Sequence, residues 1–248
     1  MFRPRVALAS LSGEADADWA RAATDHVGCA FLGGIALDEA SREAAQALTD
    51  RDRSEFLPAD PIAFVDTQLG ALDKSPLRGA FNVRSTTLAP LERAAGVCRD
   101  HDAILELNAH CRQDEMCAVG GGESLLRDAD RLAEQVRTAA DTGAAVSVKV
   151  RAEVPGVDLP RLARCIDEAG ADAIHVDAMD SESVVDDIAT ATDLFVVANN
   201  GVRGPDTARE YLEYGADAVS VGRASDDPAV LAAVREATDD WFTQEVTR

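Results

Sequence analysis

Lysine is almost missing from this sequence: of 24 basic residues only Lys74 and Lys149 are not arginine, against 45 acidic residues, for a formal net charge of −21. Such a surface repels polyanions at low salt, which weighs against simple electrostatic capture of nucleic acid. It fits a halophilic protein in a salty cytoplasm, where salt screens excess carboxylates. Long apolar runs are missing too. No stretch approaches the roughly 18 residues of a membrane span, and Met1-Phe-Arg-Pro-Arg5 leads into a strand rather than a signal-peptide core, so a cytoplasmic protein with no membrane contact is expected. The five cysteines (Cys29, Cys98, Cys111, Cys117, Cys165) are odd in number and lack paired zinc-ligand spacing, which argues for reduced thiols and no metal. There is no low-complexity linker, and 248 residues suit one domain spanning 1–248 with a large core of its own.

What the sequence does have is alternation. Eight short apolar runs read as strands: 5–10, 29–33, 79–83, 103–108, 145–151, 173–177, 194–199 and 218–222. Each is followed by a helical pattern, such as 124–142, with Leu125, Leu126, Leu132, Ala133 and Val136 three or four apart, or 159–169. Strand and helix in strict turn predict parallel β/α units, and eight of them predict closure as a (β/α)8 TIM barrel. Gly170-Ala-Asp-Ala-Ile-His-Val-Asp177 is echoed by Gly215-Ala-Asp-Ala-Val-Ser-Val-Gly222, as expected when one supersecondary unit recurs around an axis. Region 38–78 fits more than one register: a helix over 37–48, a Pro-rich stretch, and an extra helix near 64–72. A last helix is expected over 228–245.

In such a barrel the chemistry sits where the strands end. In the fifth strand Val146, Val148 and Val150 alternate with Ser147, Lys149 and Arg151, so Lys149 points inward, where a lysine is costly unless an anion meets it. Two partners fit: Glu106, inward from the fourth strand, or a bound cofactor or substrate. The seventh strand ends in Asn199-Asn200-Gly201 and the eighth in Gly222-Arg223, the two loops that commonly bind phosphate in this fold. Those glycines either make plain turns or let backbone N–H groups approach a phosphate, with Arg223 adding charge-assisted bonds. After the fourth strand, Asn108 to Leu126 carries Cys111 just beyond the strand end and three glycines at 120–122, a loop able to pack against a flat ligand. On chemistry alone Cys111 is as readily inert as reactive, and Cys117 suits a small loop residue.

The run from Asn108 through Cys111 to Gly120-Gly-Gly-Glu-Ser-Leu-Leu126, with Lys149-x-Arg151, Asn199–Gly201 and Gly215–Arg223, resembles the tRNA-dihydrouridine synthase family, which is related to dihydroorotate dehydrogenase-like FMN barrels. Leu8-Ala-Ser-Leu-Ser-Gly13 is similar to the family's Leu-Ala-Pro-Met-Ala-Gly and places Ala9 and Ser10 beside the cofactor. The resemblance implies that NAD(P)H reduces FMN, that hydride then passes to C6 of a uracil ring in tRNA, and that Cys111 supplies the proton to C5. It implies further that Lys149 and Arg151 work beside the flavin, that Asn82 and Asn108 orient rings, and that Asn199, Asn200, Gly201, Gly222 and Arg223 hold the cofactor.

Several positions depart from the pattern. His110 and Arg112 replace the Gly and Pro flanking the cysteine, and Asn82 replaces a Gln. Asp177 falls on the family histidine of the sixth strand, with His175 two residues earlier as the alternative. The family's C-terminal helical domain has no counterpart, so a short archaeal-type branch without a separate tRNA-binding domain is expected. A small pyrimidine or another unsaturated ring is the rival substrate, and a non-catalytic phosphate-binding barrel the rival class.

Overall fold

The computed structural model describes residues 1–178 and 180–245. Its strands are β1 (Val6–Leu8), β2 (Cys29–Ala36), β3 (Arg78–Arg84), β4 (Ile104–Asn108), β5 (Ala145–Arg151), β6 (Ala173–Asp177), β7 (Phe195–Asn199) and β8 (Ala218–Val221). All neighbours are parallel, and β1 pairs with both β2 and β8, closing the barrel in sequence order. Its helices are α1 (Ala17–Ala22), α2 (Glu39–Thr49), α3 (Pro61–Gly70), α4 (Leu88–Asp100), α5 (Asp114–Ala118), α6 (Ala129–Ala140), α7 (Leu159–Glu168), α8 (Val184–Ala191), α9 (Pro205–Glu213) and α10 (Pro228–Glu245). This is the (β/α)8 barrel that the alternation predicted.

Local chemistry sets the boundaries. Asp60, Asp128 and Asp158 each accept backbone N–H groups at the start of α3, α6 and α7, and proline fills the first turn of α3 and α7, where its missing N–H costs nothing. In α7, Leu159, Leu162, Ala163 and Ile166 are buried as one stripe against the strands.

The structure revises three expectations. The helix expected over 124–142 is broken, because Asp128 leaves the helical conformation to cap α6 and the preceding Gly122–Arg127 forms a separate 3-10 turn. The second strand runs past Gly33 to Ala36, with a register shift between Gly33 and Ile35. In region 38–78 both helices exist, but the extra one is α2. It packs against α5, and Arg51 just beyond its end pairs with Glu115 of α5, while α3 lies against β3 and α4 in the outer layer.

The barrel interior changes character along its axis. At the N-terminal end of the strands Phe2, Ala7, Cys29, Phe31, Ala80, Ile104, Val197 and Ala218 form an apolar plug. Above it, fully buried, come Asn82, Glu106, Ser147, His175 and Ser220. The strands end in a third, polar tier that includes Asn108, Lys149, Arg151, Asp177 and Asn199, brought side by side by the pairings Asn108↔Lys149, Arg151↔Asp177 and Asp177↔Asn199. Polar groups therefore face the opening where strands stop and loops begin.

Away from that opening, His101 braces α4 against α3, its Nδ1 2.8 Å from Asp73 Oδ1 and its Nε2 2.9 Å from Asp66 Oδ1. Burial draws its pKa down, but the two carboxylates outweigh that and raise it. A raised folded-state pKa adds stability below the unfolded imidazole value, and that stability is lost as pH rises through the folded one. His101→Gln is therefore expected to lower Tm near pH ~6 and to leave it almost unchanged near pH ~8.5. The effect should stay below roughly 1 kcal/mol because both aspartates are largely exposed. Thermal melts across that range test it, and a pH-independent difference would overturn the assignment.

Candidate active site

The loop after β4 is built around Asn108. Its Nδ2 donates to Asn82 Oδ1 at 2.8 Å, and its Oδ1 accepts the backbone N–H groups of Cys111 at 2.9 Å and His110 at 3.2 Å. One side chain thereby ties the strand end to the loop and sets Cys111 at the barrel mouth, its side chain part-exposed. Gly122 packs directly behind it, in the left-handed region at φ +58°, where a Cβ would stand 2.1 Å from the Cys111 carbonyl oxygen. The same carbonyl accepts the Glu123 N–H at 2.9 Å. No other residue fits there, so part of the triple glycine serves to seat Cys111. Cys117 lies on α5 with its Sγ 3.5 Å from that carbonyl, and burial pushes its thiol pKa up.

Lys149 points inward from β5 as expected and is 4% exposed. The ion pair with Glu106 that the sequence left open does not form: Glu106 Oε2 is bound to His175 Nδ1 at 2.7 Å and its Oε1 to Asn82 Nδ2 at 2.7 Å. Among the described residues no carboxylate lies within salt-bridge distance of the Lys149 ammonium. Burial lowers its pKa, and the fields of Glu106 and Asp177 oppose that. Arg151, two residues on, is held by Glu123 Oε2 at 3.2 Å, while its Nε is buried without a hydrogen bond.

His175 is not at the mouth. It sits one tier lower, wholly buried, with Nδ1 on Glu106, Nε2 2.7 Å from Ser220 Oγ, and its ring 4.8 Å from Phe31. Burial lowers its pKa. Burial alone would raise Glu106, but His175 and Lys149 outweigh it and keep the carboxyl ionised. A neutral His175 donating to Glu106 and accepting from Ser220 satisfies every group. Asn82 is likewise enclosed, its amide committed to Asn108 and Glu106, so it offers the mouth no free group and acts through Asn108 instead.

The imidazole at the mouth is His110. Its Nε2 contacts Asp177 Oδ2, and Asp177 Oδ1 accepts from Asn200 Nδ2 at 2.8 Å. Tyr211 donates to the Asn200 carbonyl at 2.8 Å and holds that turn, whose Asn200 is left-handed at φ +85°. The composition-based reading missed this chain of contacts; the signal was present in two simultaneous departures, histidine at 110 and aspartate at 177. It missed the Glu123–Arg151 pair as well.

At the other side of the mouth, Gly201 (φ +68°) and Gly222 have, apart from their chain neighbours, no atom of the described residues within 4 Å of where a Cβ would stand. Arg223 opens a 3-10 turn, Arg223–Asp226, in which the Ser225 hydroxyl is buried without a hydrogen-bond partner. Asn199 is buried and donates to the Ser220 carbonyl at 3.3 Å. Ala9 is buried at the end of β1, bonded through its N–H to the Val221 carbonyl at 2.9 Å, and Ser10 is partly exposed next to it.

Against known proteins, the sequence pattern described as dihydrouridine synthase matches residues 72–247, well over half of the chain. The chain belongs to the dihydrouridine synthase family. Dihydrouridine synthases are flavin-dependent oxidoreductases that act on tRNA. An uncharacterized protein of Methanocaldococcus jannaschii is 27% identical over 235 residues, covering 88% of each chain. Solved structures with the same fold include a FabK mutant from Thermotoga maritima, with TM-score 0.60, 14% identity, and coverage of 90% of this chain but 62% of that one. The 3-hexulose-6-phosphate synthase of Salmonella typhimurium has TM-score 0.55 and 16% identity, over 96% of this chain and 99% of that one. Such identities speak for the barrel alone. Within this family, the chain carries the mouth imidazole on the β4 loop, against an aspartate at the end of β6.

Proposed function

We propose that this chain is an FMN-dependent oxidoreductase that reduces the C5=C6 bond of uridine in tRNA, with NAD(P)H as electron donor. The observation that carries the reading is the Lys149 ammonium, buried at the barrel mouth with no ion pair among the described residues, in a member of a flavin-dependent family. A buried cation in that state calls for a group that gathers negative charge, and the N1–O2 edge of a reduced flavin is one. The opposite side of the mouth suits the phosphate: open glycine backbone at Gly201 and Gly222, an unpartnered buried hydroxyl at Ser225, and Arg223 at the head of the 3-10 turn. Asn199, Asn200, Ala9 and Ser10 complete the floor between the two. Bound FMN would supply hydride transfer, renewed by NAD(P)H.

The chain's own residues do the rest. Cys111 holds the proton destined for C5, as a positioned thiol that releases it to a carbon held close by. Asn108 and Gly122 position that thiol. Lys149 places fixed positive charge in a low-dielectric site where it acts strongly. Arg151, tethered by Glu123, has one N–H unspent for the substrate or the flavin. His175 keeps Glu106 in place beneath Lys149 and takes no part at the reacting atoms.

The net charge of −21 favours a second reading, the same flavin chemistry on a small pyrimidine or other unsaturated ring. Dihydrouridine content of tRNA from a deletion strain separates the two: its loss supports tRNA, and an unchanged content supports the small substrate. A purified protein that is colourless and takes up no added FMN would overturn both.

The phosphate placement has its own test. Arg223→Ala is expected to weaken FMN binding about 10- to 100-fold, the scale of a lost charge-assisted contact, with no change in apoprotein Tm because Arg223 is exposed. Equal flavin affinity in variant and wild type would remove the phosphate from this loop.

A further inference from the structure

The contact between His110 and Asp177 defines which edge of the imidazole is free. Asp177 ends β6 in an inward-facing register and is clamped by Asn200 Nδ2 at 2.8 Å, so its carboxylate is fixed at the mouth. His110 meets it through Nε2. Nδ1 makes no hydrogen bond among the described residues and is not an enclosed orphan, and 31% of the side chain reaches solvent. The ring is thus held by Asp177 at one edge and open to solvent at the other.

The charges around it settle its state. Burial would raise Asp177, but the bonds from His110 and Asn200 and the field of Lys149 outweigh it, so the carboxyl stays ionised. Burial lowers the pKa of His110, and Lys149 and Arg151 add to that, against the pull of Asp177. Burial is the largest of these influences and holds His110 below the ordinary imidazole value, which favours the neutral ring. Its one N–H must go to the carboxylate, which accepts only, and Nδ1 is left as a bare acceptor aimed away from Asp177.

We propose that His110, oriented by Asp177, is a specificity-determining residue whose Nδ1 accepts the imide N–H of a bound uracil-type ring. This rests on the flavin and pyrimidine reading above and deepens it. Two rings in that reading carry the same C(=O)–NH–C(=O) group: the substrate uracil and the pyrimidine part of the flavin. A neutral imidazole locked in one tautomer distinguishes such a donor from the N3 acceptor of a cytosine-type ring, because two facing acceptors leave both groups unpaired in a desolvated site.

The experiment measures binding of uridine and N3-methyluridine, and separately of FMN and N3-methyl-FMN, to full-length protein by calorimetry or fluorescence. Wild type is expected to prefer the unmethylated member of one pair by about 10-fold, the scale of one neutral hydrogen bond. Which pair shows the preference identifies the ring. His110→Ala should abolish that preference. His110→Gln should retain most of it, because the amide can donate to Asp177 and still present an oxygen. Asp177→Asn should lose it with the imidazole intact, because an amide donating to Nε2 turns Nδ1 into a donor. The preference should also fade as pH falls and His110 gains its second proton, with Asp177, Lys149 and Arg151 the charged groups facing the ring.

Flavin binding with no discrimination in either pair, or discrimination unchanged in His110→Ala, would overturn this proposal alone. A wild type that binds neither ring would overturn it together with the reading beneath it.

Discussion

Cys111→Ala is expected to slow reduction of the uracil-type substrate by about 10²- to 10⁴-fold while leaving reduction of the protein-bound flavin by NAD(P)H nearly unchanged. The range is that of losing a positioned general acid, and the selectivity follows because only the substrate step delivers a proton to carbon. Cys117→Ala is the control. Its thiol is on α5, bonded back to the Cys111 carbonyl, and burial raises its pKa, so its removal should cost little. Rapid-mixing measurements of the two half-reactions decide the matter. Normal turnover of substrate by Cys111→Ala would move the acid to another group, with Arg151 and His110, both at the strand ends around Asp177, the next to test.

Lys149→Met carries the second large effect, in the other half-reaction. Removing a preorganised charge from an enclosed site typically costs on the order of 10²–10³ in rate, and here the loss should fall on flavin reduction and on the flavin's midpoint potential, which should become more negative. The fold should survive. Among the described residues Lys149 has no ion pair to break, and Glu106 keeps its bonds to His175 and Asn82. Methionine also replaces the aliphatic stem, and a desolvated cation has been removed from a buried position. Unchanged potential and reduction rate, or a general loss of folding, would return Lys149 to a structural role.

Much of the site was legible because a parallel strand alternates faces. Once Val146, Val148 and Val150 were assigned to the helix layer, Lys149 and Arg151 had to point inward, and β5 does place them so. The place of Cys111 at the barrel mouth was legible from the strand end at Asn108, whereas a role for its thiol came only from the family resemblance. His175 was not: the pattern put it on the inward face of β6, which is right, but height along the barrel axis depends on stagger between strands, and that placed it a tier beneath the mouth. The Glu106 partner failed for a similar reason, since two inward groups on neighbouring strands can have a nearer third, here His175. The role of Gly122 as a seat for Cys111 depends on a carbonyl eleven residues earlier, which composition does not reveal.

The class of fold, the order of its elements and the end of the barrel where polar side chains gather can all be read from the residues in order. Those follow from local rules: period-two and period-3.6 patterning, aspartate and proline at helix starts, glycine where backbone must turn or be approached. Only the tertiary structure decided which polar groups meet. Among the described residues Lys149 forms no ion pair, Asp177 receives His110 and Asn200, and His175 closes on Glu106 and Ser220, because pairing inside a closed barrel is set by shear, strand length and the return path of each loop. None of these is written in the spacing of residues along a single strand.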